Sequence, residues 1–141
     1  MTQLEAVQRF ASHAERIAAF LRDEGFRPTV DEDGDVYFKF EGRVYYVVVN
    51  EEDPSFFRVL APFFWSLDDA DERRRALTVT NEVQCRFKVG RFFVSDDGVS
   101  AVVDAYLPDE TSFRAVLLRS LSALPEMTRE FRDRMHAHSL S

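Results

Sequence analysis

The sequence has one cysteine, Cys85, in 141 residues, so no intramolecular disulfide is available and a reducing compartment suits it. It has no long apolar run. Its purely apolar stretches are short, Val47-Val48-Val49 and Phe63-Phe64-Trp65 among them, whereas a transmembrane helix needs about 20 such residues. No membrane partner is expected. Residues 1–5 carry neither a basic segment nor an apolar core of signal-peptide length, so no export signal is read and the bacterial cytosol is the expected compartment. The five glycines, Gly25, Gly34, Gly42, Gly90 and Gly98, each stand alone. That leaves no G-x-G-x-x-G, no G-x-x-x-x-G-K-[ST] and no G-x-S-x-G, hence no phosphate-cradling loop and no nucleophile elbow. The histidines are His13, His136 and His138, with no C-x-x-C or H-x-x-x-H spacing, so no metal or other cofactor is expected. Lysine is nearly missing too: Lys39 and Lys88 are the only two, and the other basic residues are arginine. That reads as the codon bias of a GC-rich genome rather than as a site.

What is present is acid, aromatic and apolar. The formal net charge is -7 and the isoelectric point near 5.0. A negative surface repels phosphate backbones, so nucleic acid is not the expected partner. Hydrophobic residues make up 45% and charged residues 30%, a globular composition at a length that suits one domain burying about two-thirds of its unfolded surface.

Periodicity supplies the elements. Residues 3–24 are predicted as one helix. Thr2 and Glu5 make a capping box, and Leu4, Val7, Phe10, Ala11, Ala14, Ile17, Ala18 and Leu21 share a stripe, with His13 off it. Gly25 then ends the helix. Asp33-Gly34 and Glu41-Gly42 are turn signals around a strand in which Val36, Phe38 and Phe40 alternate with polar positions. Residues 43–50 form a strand apolar on both faces, which implies cover on both sides, by its own chain or by a second copy. A polar loop at 51–55 leads to a strand over 56–61, which Pro62 is expected to end. A second helix is predicted over 69–84, with Ala76, Leu77, Thr80 and Val83 facing inward. Strands at 85–95 and 99–107 follow, joined at Asp97-Gly98. A third helix carries Phe113, Val116, Leu117, Leu121 and Leu124. Pro125 should kink or break it, and Met127, Phe131 and Met135 continue its phase. The fold class is therefore α+β, an antiparallel sheet with helices packed on it, in the order α-β-β-β(-β)-α-β-β-α. Residues 1–135 read as a single domain and 136–141 as a loose C-terminal tail.

The chemistry on offer is thin. An EF-hand loop starting at Asp31 would need glycine at its sixth position and glutamate at its twelfth. Val36 and Gly42 stand there, so the acidic run 31–35 reads as a solvated hairpin turn. Cys85 reads as a small buried thiol. On a helix, Arg73, Arg74 and Arg75 point three ways and make no single patch. Phe56-Phe57 and Phe63-Phe64-Trp65 put five aromatics in ten residues, more than one sheet face can bury, and Phe20 and Leu118 lie off their helical stripes. Either the core and its loops absorb this excess, or part of it lines an exposed patch for pairing or peptide capture, which is the preferred reading. Its candidate members are Tyr45, Val47, Val49, Phe57, Phe63, Phe64 and Trp65.

Residues 80–94, from Thr80-Asn81-Glu82 through Arg86-Phe87-Lys88 to Phe92-Phe93-Val94, resemble the central signature of YbjN-like proteins. There a helix ending in Asn-Glu gives way to a basic, aromatic strand and an acidic turn, here Asp96-Asp97-Gly98. Residues 102–108 and the segment 42–49 resemble the following strand and an earlier hairpin, so the likeness spans about residues 4–124. It implies the fold of the type III secretion chaperones, commonly dimeric. The family's label of sensory transduction regulators carries no mechanism and no functional residues to transfer. The Pro62-Phe63-Phe64-Trp65 segment is more aromatic than the likeness leads one to expect.

The expected function is a non-catalytic, chaperone-like or regulatory module that forms a homodimer and binds a protein or peptide partner. The alternative is a sensory regulator holding a small apolar ligand in an aromatic pocket. An enzyme is not expected, since no nucleophile–base pair or metal set is found.

Overall fold

A computed structural model describes residues 12–140 of the chain, with side chains to residue 137. The elements run α1 (His13–Asp23), β1 (Thr29–Val30), β2 (Val36–Phe40), β3 (Arg43–Val48), β4 (Phe56–Ser66), α2 (Ala70–Gln84), β5 (Arg91–Val94), β6 (Gly98–Tyr106) and α3 (Phe113–Leu140). All six strands join one antiparallel sheet in the order β1-β2-β3-β4-β6-β5. The expected α+β class and element order are what the chain adopts.

Strand alternation sorts the sheet into two faces. Val36, Phe38, Tyr45, Val47, Phe57, Val59, Ala61, Phe92, Ala101 and Val103 sit in register on one face and share a core with the helices. Ile17 and Leu21 of α1, Val79 and Val83 of α2, and Leu117, Leu124, Met127 and Phe131 of α3 complete it. β3 is therefore covered on one side only, by Tyr45 and Val47. Its other side leaves Val44 exposed and Tyr46 and Val48 half-buried, on a face to which no described helix contributes core residues.

Local readings change in four groups, the first of them in α1 and α2. Ser12, not Thr2, caps the described helix. Ser12 Oγ accepts from the Glu15 amide, and the Ser12 amide donates to the Glu15 carboxylate. Ser12 has extended ψ, so α1 starts afresh at His13; Thr2 and Glu5 lie outside the described residues. The next two amides, of His13 and Ala14, donate to the carboxylate of Glu51 in the β3–β4 loop, each at 3.1 Å, so the orphan donors of the helix start are closed by two acids. His13, expected off the apolar stripe, is buried with its ring edge-on to Phe113. Burial, and next the Arg16 charge, hold its pKa below the ordinary histidine value. In α2, Val79 rather than Leu77 faces inward, and Leu77 is exposed.

The second change is in β4, which runs straight past Pro62. Between the pairs Ala61↔Ala101 and Trp65↔Val99 the strand carries two residues more than β6 does. This bulge lets a proline sit where a ladder donor is not needed. Phe63 takes φ 43° there, and its amide donates to Ser100 Oγ at 2.9 Å.

Third, β5 is short. Cys85 is the C-cap of α2, and residues 85–90 form turns before the strand starts at Arg91. Fourth, α3 passes through Pro125 unbroken and continues to Leu140, through the stretch expected to be a loose tail. One apolar stripe from Phe113 to Met135 holds it down, so packing outweighs the one backbone bond that proline removes. Among the described residues no helix is long and apolar enough to cross a membrane.

Candidate functional site

The acidic turn that could have held a metal ion is engaged in its own hairpin. In the 31–35 turn, Asp31 Oδ1 accepts from the amides of Asp33 and Asp35, and Asp35 Oδ1 accepts from the Val49 amide. These carboxylates hold their own hairpin. Among the described residues no group of three or more His, Cys, Asp or Glu could hold a metal ion. Cys85 is exposed, not buried, because the C-cap position turns its side chain away from the stripe that buries Val83. Arg73 pairs with Asp96 and Arg74 with Asp71, so the arginine run disperses as helical geometry requires.

The seven candidate surface residues divide. Tyr45, Val47 and Phe57 are core residues, 2%, 0% and 1% exposed, and offer no surface on which a partner chain could pack, although Tyr45 borders a cavity. Alternation places them on the covered face, a choice of side that the strand sequences leave open. Val49 is half-buried against the core. Phe64 and Trp65 are half-buried too. Both rings meet Phe131 of α3, at 5.2 and 5.6 Å, and Phe92 joins them at 5.6 Å. The Trp65 indole N–H donates to Glu72 Oε1 of α2. These aromatics largely fill one another's space, though Phe64, with Phe63 and Tyr45, also lines a cavity of about 180 Å³. Phe63 alone is turned out, 61% exposed, by the bulge. Of the residues off their stripes, Phe20 packs edge-on against Phe113, whereas Leu118 stays exposed.

The uncovered sheet face has its own order. Asp104 of β6 accepts from Arg58 of β4 and Arg91 of β5, at 3.0 and 2.7 Å. The Arg91 hydrogen bond first, with that of Arg58 added, holds the Asp104 carboxyl below its ordinary range. Both guanidiniums lie over the Phe93 ring, and Arg58 also over Phe56. The ends of these strands are therefore cross-linked by charge and aromatic stacking.

A feature that sequence reasoning missed lies at the edge of β6. β5 pairs with residues 99–102 and stops, while β6 continues to Tyr106. On that side residues 103–106 have no neighbouring strand. Among the described residues no backbone hydrogen bond joins them to the loop at 85–90. Residues in an antiparallel strand point their N–H and C=O groups alternately to either side, so about two of these four present unpaired backbone outward. Beside them runs a cavity of about 370 Å³ between β6 and α3, walled by Val89, Val103, Ala105, Ala115, Val116 and Ala123. Small side chains on α3, with Ala at 115 and 123, leave this space open. Arg119 stands among the lining residues, and the Ser120 hydroxyl is spent on the Val116 carbonyl. The signal available in the sequence was the spacing of small residues on the outer flank of the third helix.

A family model described as T3SS (YopN, CesT) and YbjN peptide-binding chaperone 1 matches residues 6–139. Comparison with curated proteins and with solved structures finds no match.

Proposed function

The chain belongs to this family of peptide-binding chaperones, TY-Chap1, and from that premise we propose that it is a non-catalytic cytosolic module that takes up an extended peptide segment along the open edge of β6. One observation carries the reading. Four residues of β6, paired with β4 on one side, have no strand neighbour on the other, directly beside an apolar groove. An added strand satisfies the unpaired backbone whatever its sequence, and the groove accepts every second side chain. Small or branched apolar side chains fit the alanine- and valine-lined walls. Backbone-led recognition of this kind suits a chaperone, whose clients share extended conformation rather than one sequence.

The test is an NMR titration with an unstructured ten-residue peptide of alternating Val and Thr. Amide shifts are expected at residues 103–106 and along 115–123. Ala115→Arg, at an exposed helical position on the groove wall, should weaken binding about tenfold, roughly 1.4 kcal/mol. Shifts confined to other surfaces would remove the reading.

The homodimer is proposed on Phe63. Holding a bulky residue at positive φ is strained, and here it turns an aromatic ring out beside the exposed Val44 on one shallow depression. A two-fold contact would place this patch against its copy. Phe64 and Trp65 no longer support it, since their rings are engaged inside the domain. Sedimentation at micromolar concentration should give the dimer mass, and Phe63→Glu should give monomers with an unchanged melting temperature. A monomeric parent protein ends this proposal and leaves the groove untouched.

A further inference from the structure

A second cavity, of about 310 Å³, opens between the β2–β3 turn and the C-terminal half of α3. Its lining is as basic as the rest of the molecule is acidic. Arg43 reaches it from the start of β3, and Arg129 and Arg132 from α3. Glu41 is the one acid among its lining residues. Among the described residues none of the three arginines takes part in an ion pair, which is also so of Arg22, Arg27, Arg75, Arg114 and Arg119; what sets these three apart is that they line one cavity. Arg132 is the most informative. Its guanidinium lies over the Phe64 ring, and its Nη2 is buried with no hydrogen-bond partner. A buried donor of a permanent cation with nothing to donate to is costly; Arg58 Nε and Arg75 Nε are in the same position, but of the three only Arg132 lines a cavity with two further arginines.

The remaining walls suit an incoming group. Tyr45 is 2% exposed, its ring packed by Phe38 and Phe40. Burial pushes its phenol above the ordinary tyrosine value, so the hydroxyl keeps its proton and remains a donor. Burial, and next the neighbouring Arg43 charge, depress the Arg132 pKa. Arginine nevertheless stays charged at neutral pH, so the mutual repulsion persists until an anion relieves it.

We propose that this pocket binds an oxyanion, a phosphate or carboxylate group on a small molecule, between the guanidiniums of Arg43, Arg129 and Arg132. Planar guanidiniums recognise both groups through paired N–H donors. The site lies away from the β6 edge and does not rest on the peptide reading.

Calorimetric titration of the full chain with inorganic phosphate, and separately with citrate, at ionic strength fixed with chloride, tests it. Saturable binding at one site per chain is expected, weakened about tenfold or more in Arg132→Met and in Arg129→Gln. Ala115→Arg, in the peptide groove, should bind the anion as the parent does. A response to phosphate alone assigns the pocket to phosphoryl ligands, and a response to citrate alone to carboxylates. Arg129 is exposed, so Arg129→Gln carries the test even where Arg132→Met fails to fold. No saturation with either anion, or parent-like affinity in Arg129→Gln, overturns the proposal.

Discussion

Replacing Phe131 with alanine will lower the unfolding free energy by about 3–5 kcal/mol, the range for truncating a fully buried phenylalanine. The ring is 0% exposed. It meets Phe64 at 84°, Trp65 at 74° and Phe92 at 39°, contacts from two strands onto one helical residue. Three aromatic neighbours on a hydrogen-bonded sheet cannot move inward together, so the vacated space stays largely open and the cavity cost adds to the lost burial. Edge-to-face contacts contribute beyond burial alone. Urea unfolding followed by circular dichroism and by Trp65 fluorescence measures the change. Phe131→Leu should recover part of it. A loss under about 1.5 kcal/mol would mean that the cluster repacks, and that the aromatic excess of β4 is not held by α3.

Gly98→Ala should be more damaging than Gly34→Ala or Gly42→Ala, costing about 1–3 kcal/mol through forced overpacking. Gly98 has no left-handed backbone to protect. What it has is the Trp65 carbonyl oxygen 2.5 Å from where a Cβ would stand, and that oxygen is main chain with no freedom to yield. The pair Ser66↔Gly98 closes the β4–β6 ladder just past the bulge, so any shift is transmitted to the Phe63 turn. At Gly34 and Gly42 nothing lies within 4 Å, and an alanine there meets only an unfavourable φ. Thermal unfolding of the three alanine variants separates these causes. A Gly98→Ala protein melting with the parent would show that β4 and β6 can part at no cost.

Elements with a strong period were legible before any coordinates. The stripe Phe113, Leu117, Leu121, Leu124, Met127, Phe131 and Met135 is legible across Pro125, whereas the kink or break expected at the proline does not occur and the helix continues. The turns at Asp33-Gly34 and Asp97-Gly98 were also found, though Gly98 is required by the Trp65 carbonyl rather than by turn geometry. Three things were hidden. Alternation in β3 shows two apolar sets but not which one the helices cover, so it does not reveal that Tyr45 and Val47 lie in the core. A proline reads as a strand end unless one knows that the partner strand has fewer residues to offer, which is a property of β6 and not of β4. The binding groove and the basic pocket join residues distant in sequence, Val89 to Ala123 and Arg43 to Arg132. No local spacing connects them, whereas the family signature at 80–94 is local and was recognisable.

The carboxylate of Glu51 on the first two amides of α1 has a kinetic consequence. The two groups lie 37 and 38 positions apart in the chain. The helix start can be completed only after β2 and β3 have formed and brought the loop around, at a loop-closure cost that a purely local cap avoids. α1 makes few contacts beyond β1, β2 and Phe113. We expect α1 to be the first element to release, with hydrogen exchange of its amides faster in Glu51→Gln than in the parent protein while exchange in the other helices is unchanged.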